Sequence, residues 1–167
     1  MKKFILYQIE SQIEAAHGIM FSSLDTLEKI GLRNALTLDL YDVVFQGTLE
    51  DDLDLEDIYM SFQGQKPEGY KGHSVSMSDV VEMEGKYYYC DRYGWTEIAF
   101  EPVKPTIRKG DRFLCKKDYV MEDDSIAYVR GKVYLAESDR YLTDESGSDL
   151  HRMNDETDFY EHFARIR

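Results

Sequence analysis

The sequence predicts an α+β fold: an antiparallel sheet with two short helices, followed by a small bent β-sheet or barrel with a C-terminal helix. Three observations carry this reading. Short runs of β-forming residues recur along the whole chain, separated by Gly, Asp and Ser. Two segments of the first half place apolar residues at helical spacing behind a capping residue. EPVKPT, with Pro102 and Pro105, then divides the chain, because each proline removes a backbone donor and restrains its neighbour. The division predicts a domain over residues 1–101 and a smaller β-rich domain over 106–167.

In order along the chain, FILYQIE (Phe4–Glu10) reads as an opening strand. SSLDTLEKIGL follows as a helix, with Ser22 to cap its first turn, Leu24, Leu27 and Ile30 on one face, and Gly31 as its stop. LYDVVFQG (Leu40–Gly47) returns to strand character. EDDLDLEDIYMSFQG is a short amphipathic helix, with Leu55, Ile58, Tyr59 and Phe62 on one side and carboxylates in its first turn, where they oppose the helix dipole. In GHSVSMSDVV (Gly72–Val81), Val75 and Met77 alternate with Ser74, Ser76 and Ser78, as on a strand with a polar edge. VVEME, YYYCD and WTEIAF, joined by turns at Glu84–Gly85–Lys86 and Tyr93–Gly94, read as a three-stranded meander.

Beyond the prolines, KGDRFLCKKDYV, IAYVRGKVYLA and RYLTDESGSDLHRM hold short β runs suited to a bent sheet or barrel. NDETDFYEHFARI reads as a closing helix capped by Asn154 or Asp155, with Phe159, Tyr160 and Phe163 directed at the sheet.

Composition narrows the function classes. A formal charge of −13 disfavours direct contact with nucleic-acid phosphates or anionic lipid. The acidity is uneven: residues 1–104 carry 19 Asp and Glu against 9 Lys and Arg, and residues 105–167 carry 14 against 11. No apolar run approaches the length needed to cross a bilayer, and MKKFILYQIE turns polar too soon for a secretory signal, so a cytoplasmic location is expected. Two distant cysteines, Cys90 and Cys115, indicate neither a disulfide framework nor a zinc ribbon.

The order YQIE, SSLDTLEKIGL, YDVVFQGTL, LEDIYMSF, GYKGHSVSMSDVV and YYYCDRYGWTEI, over roughly residues 3–100, resembles the YodL-like domain of bacterial mobile-element proteins. The second half, with KGD, Tyr and GKVY in sequence, is similar to small phage and conjugative-element proteins. The resemblance implies an accessory or counter-defence role in a mobile genetic element, and it supplies no catalytic residue to carry over.

Several patterns invite chemistry. His73, Ser74 and Asp79 are the residue types of a hydrolase triad, but neighbours on a strand face opposite ways and no GxSxG elbow is present, so a structural turn is expected, with Asp79 accepting backbone N–H groups. Glu50, Asp51, Asp52, Asp54, Glu56 and Asp57 lack the spacing of a calcium loop and fit a solvated helix start; their other reading is a ridge imitating DNA phosphates. Tyr87 and Tyr89 are expected inward and Tyr88 outward, so that Tyr88, Tyr93 and Trp95 join Asp51, Asp52, Asp54 and Asp57 as candidate protein contacts. His151 and His162 lack ligand spacing with Cys115, whose neighbouring lysines favour a thiolate although burial is the better expectation. The expected function is non-enzymatic binding to another protein, with no cofactor, no metal, no membrane and no direct nucleic-acid contact. The alternatives are an acidic DNA mimic that inhibits a nucleic-acid-binding protein, and an enzyme of unknown type.

Overall fold

A computed structural model describes all residues, Met1–Arg167. The protein is mixed α and β, with mostly antiparallel sheets and three short helices. It forms two compact units, Met1–Phe100 and Glu101–Arg167. No helix is long and apolar enough to cross a membrane.

The first unit is built on a five-stranded sheet in the order β2-β1-β3-β4-β5, where β1 is Lys2–Ile9, β2 Tyr41–Leu49, β3 Val80–Met83, β4 Lys86–Asp91 and β5 Gly94–Ile98. Every pairing is antiparallel. The expected meander is β3–β4–β5, and its first turn has Glu84 at φ 53° and Gly85 at φ 77°, the two positive values of a tight hairpin. Between Leu6 and Tyr7 the β1–β2 register slips, so Leu6 faces Phe45 while Tyr7 faces Val43. Both Val43 and Val44 are buried as a result.

Alternation along the strands supplies two apolar faces rather than one. Phe4, Leu6, Val81 and Cys90 pack with Ile58 and Phe62 of helix α2 (Leu55–Ser61) and its C-cap. Tyr7, Tyr41 and Tyr89 are buried on the opposite face, where the Tyr89 hydroxyl donates to Ser22 O at 2.7 Å. The segment joining β1 to β2 lies over this face and contains helix α1 (Leu24–Lys29) and three 3-10 turns. The α1 cap is Ser23 rather than Ser22. Ser23 Oγ accepts from Thr26 N, whereas Ser22 Oγ donates back to Gly18 O, so the start shifts by one residue. Gly31, at φ 76°, follows this helix.

The second unit holds a three-stranded antiparallel sheet, β12-β6-β9, and two hairpins, β7-β8 and β10-β11. Their ranges are Arg112–Cys115 (β6), Tyr119–Val120 (β7), Ile126–Tyr128 (β8), Val133–Leu135 (β9), Tyr141–Thr143 (β10), Leu150–Arg152 (β11) and Phe163–Arg165 (β12). The strands do not close into a barrel. The C-terminal helix α3 is only Phe159–His162 with Asp158 at its cap, in place of Asn154 or Asp155. Residues 154–158 of the expected helix are turns and its end is strand, because Phe163 pairs opposite Cys115 and stacks its ring on Phe159 at 4.8 Å. Phe113, Tyr128, Phe159 and Phe163 form the centre of this unit through ring contacts of 4.8–5.1 Å.

Candidate functional site

The stretch Gly72–Asp79 is a loop, not the strand that its alternation predicts; β3 begins only at Val80. Backbone bonds explain why. Asp79 N donates to Ser76 O at 3.1 Å, closing a turn, and Ser78 adopts φ 78°, which a strand does not accommodate. The serines do not share one exposed side either: Ser78 is buried, accepts from Phe21 N at 3.0 Å through its hydroxyl, and accepts from Tyr41 OH at 2.8 Å through its carbonyl.

This loop is fixed to the sheet by Gln8, a fully buried amide near the end of β1. Gln8 Nε2 lies 2.9 Å from each of Asp79 Oδ2, Tyr70 OH and His73 O, and Gln8 Oε1 accepts from His73 N at 3.1 Å. Tyr70 OH also donates to His73 O. Asp79, itself buried, accepts the backbone N–H of Ser76 at 3.0 Å. A side chain at Gly72 would run into the Gln8 amide, so only glycine lets the loop approach so closely. His73 Nε2 stands 3.9 Å from Asp79 Oδ1, and its Nδ1 lies 2.8 Å from Ser74 O. The Ser74 hydroxyl makes no hydrogen bond to the ring, so His73, Ser74 and Asp79 are not ordered as nucleophile, base and orienter. What the arrangement does is hold a turn on a sheet. Gln8 was not singled out from sequence, although one amide inside FILYQIE was the available signal.

The aromatic candidates divide. Tyr88 is not outward: its row, Leu6–Val81–Tyr88, lies on the α2 face, and Tyr88 packs half-buried against that core with Trp95. Helix α2 covers this face of the sheet, so only part of the Tyr88 ring reaches solvent. Tyr93, at the β4–β5 turn, is 94% exposed. Asp91 stiffens that turn, accepting from Arg92 N at 2.8 Å, Leu24 N at 3.2 Å and Thr96 Oγ1 at 3.3 Å. Gly94 sits at φ 93°, and a Cβ there would lie 3.6 Å from Glu56 Oε1, so the turn adjoins the start of α2.

The acidic run has local structural work. Asp54 caps α2 by accepting from Glu56 N and Asp57 N, and Asp57 accepts from Asp54 N at 2.8 Å in a reciprocal capping box. Asp51 pairs with the amino terminus at 2.7 Å, which holds its carboxyl below the ordinary range, while Asp52 is exposed. The structure therefore groups Tyr93 and Trp95 with the α2 start, and places Asp51 beside Met1 instead.

Both cysteines are buried. Burial pushes the Cys115 thiol up to about 11 and the Cys90 thiol up to about 12, against any thiolate favoured by Lys116 and Lys117. His151 Nε2 is 3.2 Å from Asp144 Oδ2, and His162 Nδ1 is 3.4 Å from Lys117 O. No three His, Cys, Asp or Glu side chains converge on a common metal position.

Fold and site together define an α+β protein whose leading unit is a five-stranded antiparallel sheet, buried on both faces and tied by a glutamine to a Gly-His-Ser turn. The family model of the YodL-like domain matches residues 3–100, and the chain belongs to that family. The match spans the first unit, including the Gly-His-Ser turn and the β3–β5 meander. No curated protein and no solved structure matches the chain.

Proposed function

We propose that the protein is a non-enzymatic binding module that docks another protein, acting in the cytoplasm as an accessory factor of a bacterial mobile genetic element. The observation that carries the binding reading is Tyr93, a 94% exposed aromatic on a turn stiffened by Asp91. A rigid, solvated tyrosine loses little conformational freedom when it is covered, which is why such residues anchor interfaces. The mobile-element setting is what the family resemblance implies. The DNA-mimic reading is weakened by the capping and terminal contacts of Asp51, Asp54 and Asp57, which give these carboxylates local roles within one short segment.

The test is photo-cross-linking from position 93 in cells carrying the parent element, followed by affinity measurements with the captured partner. Tyr93→Ala is expected to weaken binding by at least about 2 kcal/mol with unchanged thermal stability. Normal binding by that variant, with binding abolished when Asp51, Asp52, Asp54 and Asp57 are neutralised, overturns the reading in favour of the acidic mimic.

A further inference from the structure

We infer that the open edge of β2 receives an extended segment of another protein, in which apolar residues alternate with lysine or arginine. The inference rests on the protein-binding reading and gives it a second surface with a defined chemistry.

Strand β2 is the outer strand of the five-stranded sheet. Lys71 N donates to Val44 O at 3.2 Å, so the Val44 carbonyl turns away from β1. Beyond the register slip the pairing itself sets the direction: Glu10 N donates to Leu40 O, so alternate β1 residues back to Leu6 and Phe4 bond β2, their partners Phe45 and Gly47 turn inward, and Gln46 and Thr48 direct their N–H and C=O outward. Both are exposed. Along this same stretch a cleft of about 360 Å³ opens between the strand and the end of α2, walled by Phe4, Phe45, Leu49, Phe62 and Pro67. Gly47 shapes it: a Cβ there would meet the Phe45 and Phe4 rings at 2.7 and 2.9 Å. A row of outward main-chain groups beside an apolar pocket is the pair of features by which a sheet edge captures a strand, the first providing affinity and the second side-chain selection.

Charge selects the occupant. The strand runs directly into Glu50–Asp57, whose six carboxylates outnumber the two cations that reach the run, the amino terminus at Asp51 and Lys2 Nζ at Leu53 O, so a peptide continuing along the edge meets a net negative field. A second copy of this chain pairing edge to edge would bring another such run against the first, and β2 itself contains no Lys or Arg. A basic, alternating strand satisfies both the pocket and the field.

The test uses the full chain and a capped hexapeptide of alternating lysine and valine, with a glutamate–valine counterpart and two versions N-methylated either at the lysines or at the valines. Expected are saturable binding of the lysine peptide, slowed hydrogen exchange at Gln46 and Thr48, and at least a tenfold loss of affinity in one methylation register only, because one set of peptide N–H groups faces β2. Ser61→Trp, at an exposed position lining the cleft, should weaken binding at least tenfold while leaving the unfolding temperature unchanged. Equal binding of the glutamate peptide, equal binding of both methylated versions, or concentration-dependent protection of Gln46 and Thr48 in the protein alone overturns the assignment. Failure of the peptide with Tyr93-dependent capture retained overturns the cleft alone; loss of both overturns the binding reading as well.

Discussion

Gln8 donates to Asp79 Oδ2 at 2.9 Å, and this one bond joins the end of β1 to the residue just before β3. Both residues are buried, so neither can exchange the other for water. Gln8→Leu removes one donor from a buried carboxylate that keeps the Ser76 N–H, and takes the amide acceptor from His73 N, so it is expected to cost about 3 kcal/mol, more than the loss of one ordinary hydrogen bond. Asp79→Ala is expected to cost about 1–2 kcal/mol, while Ser74→Ala stays near zero. Urea unfolding measures all three. A Gln8→Leu variant as stable as the parent would show that the amide network does not hold the loop.

The β3–β4 turn allows a cleaner test of backbone conformation. No atom lies within 4 Å of a Cβ built on Gly85, so any cost of a side chain there comes from its φ of 77°. Gly85→Val is expected to destabilise by about 1–2 kcal/mol, and Glu84→Asn, at φ 53°, to stabilise by a few tenths of a kcal/mol, roughly. Opposite signs in urea midpoints are the outcome to look for; equal effects would mean the turn relaxes to another type.

Alkaline pH should weaken the fold before it acts on the surface. In the unfolded chain Cys90 and Cys115 ionise near the ordinary 9.0, whereas burial holds them neutral to about 12 and about 11. Between those values the unfolded state binds fewer protons than the folded state, so stability falls as pH rises through this window. The buried hydroxyls of Tyr7 and Tyr41, also pushed up by desolvation, extend the decline. Urea midpoints should drop steadily above about pH 9, and both thiols should resist alkylation until the protein unfolds.

The division at Phe100–Glu101 predicts a protease-sensitive joint. Glu101, Pro102 and Lys104 are exposed and lie outside regular structure. Proline follows both Glu101 and Lys104, so proteases specific for acidic or basic residues meet resistant bonds, and subtilisin is the better reagent. Its first cut is expected within residues 101–104, followed by two persistent fragments. A first cut inside Tyr87–Phe100 would count against the two-unit division.

The sequence made the meander legible because Glu84–Gly85 and the β-forming runs beside it specify a hairpin locally. It made α2 legible because Asp54 and Asp57 form their capping box within four residues. The misreadings share a cause. GHSVSMSDVV alternates like a strand, but its geometry is set by Gln8, a residue on a distant strand. Phe159, Tyr160 and Phe163 suit a helix face equally well when a single turn is followed by a strand, and only the pairing of Phe163 with Cys115 decides between them. Alternation sets Tyr88 opposite Tyr87 and Tyr89 but does not say that both faces of the sheet are covered; the second cover comes from a segment with little periodicity of its own. The candidate contact at Tyr93 was visible as an aromatic at a turn, whereas the β2 cleft depends on strand order, which no local pattern encodes.

The position of β1 between β2 and β3 has a consequence for synthesis. Phe4 pairs with Gly47 on one side and with Met83 on the other, so β1, made before both of its partners, cannot complete its hydrogen bonding until almost the whole unit has followed it. In the interval the nascent chain holds at most a two-stranded ribbon, with Leu6 and Tyr7 uncovered on opposite faces. A ribosome stalled before β3 therefore carries a sticky, half-built sheet, and the unit is finished only once β5 has cleared the exit tunnel.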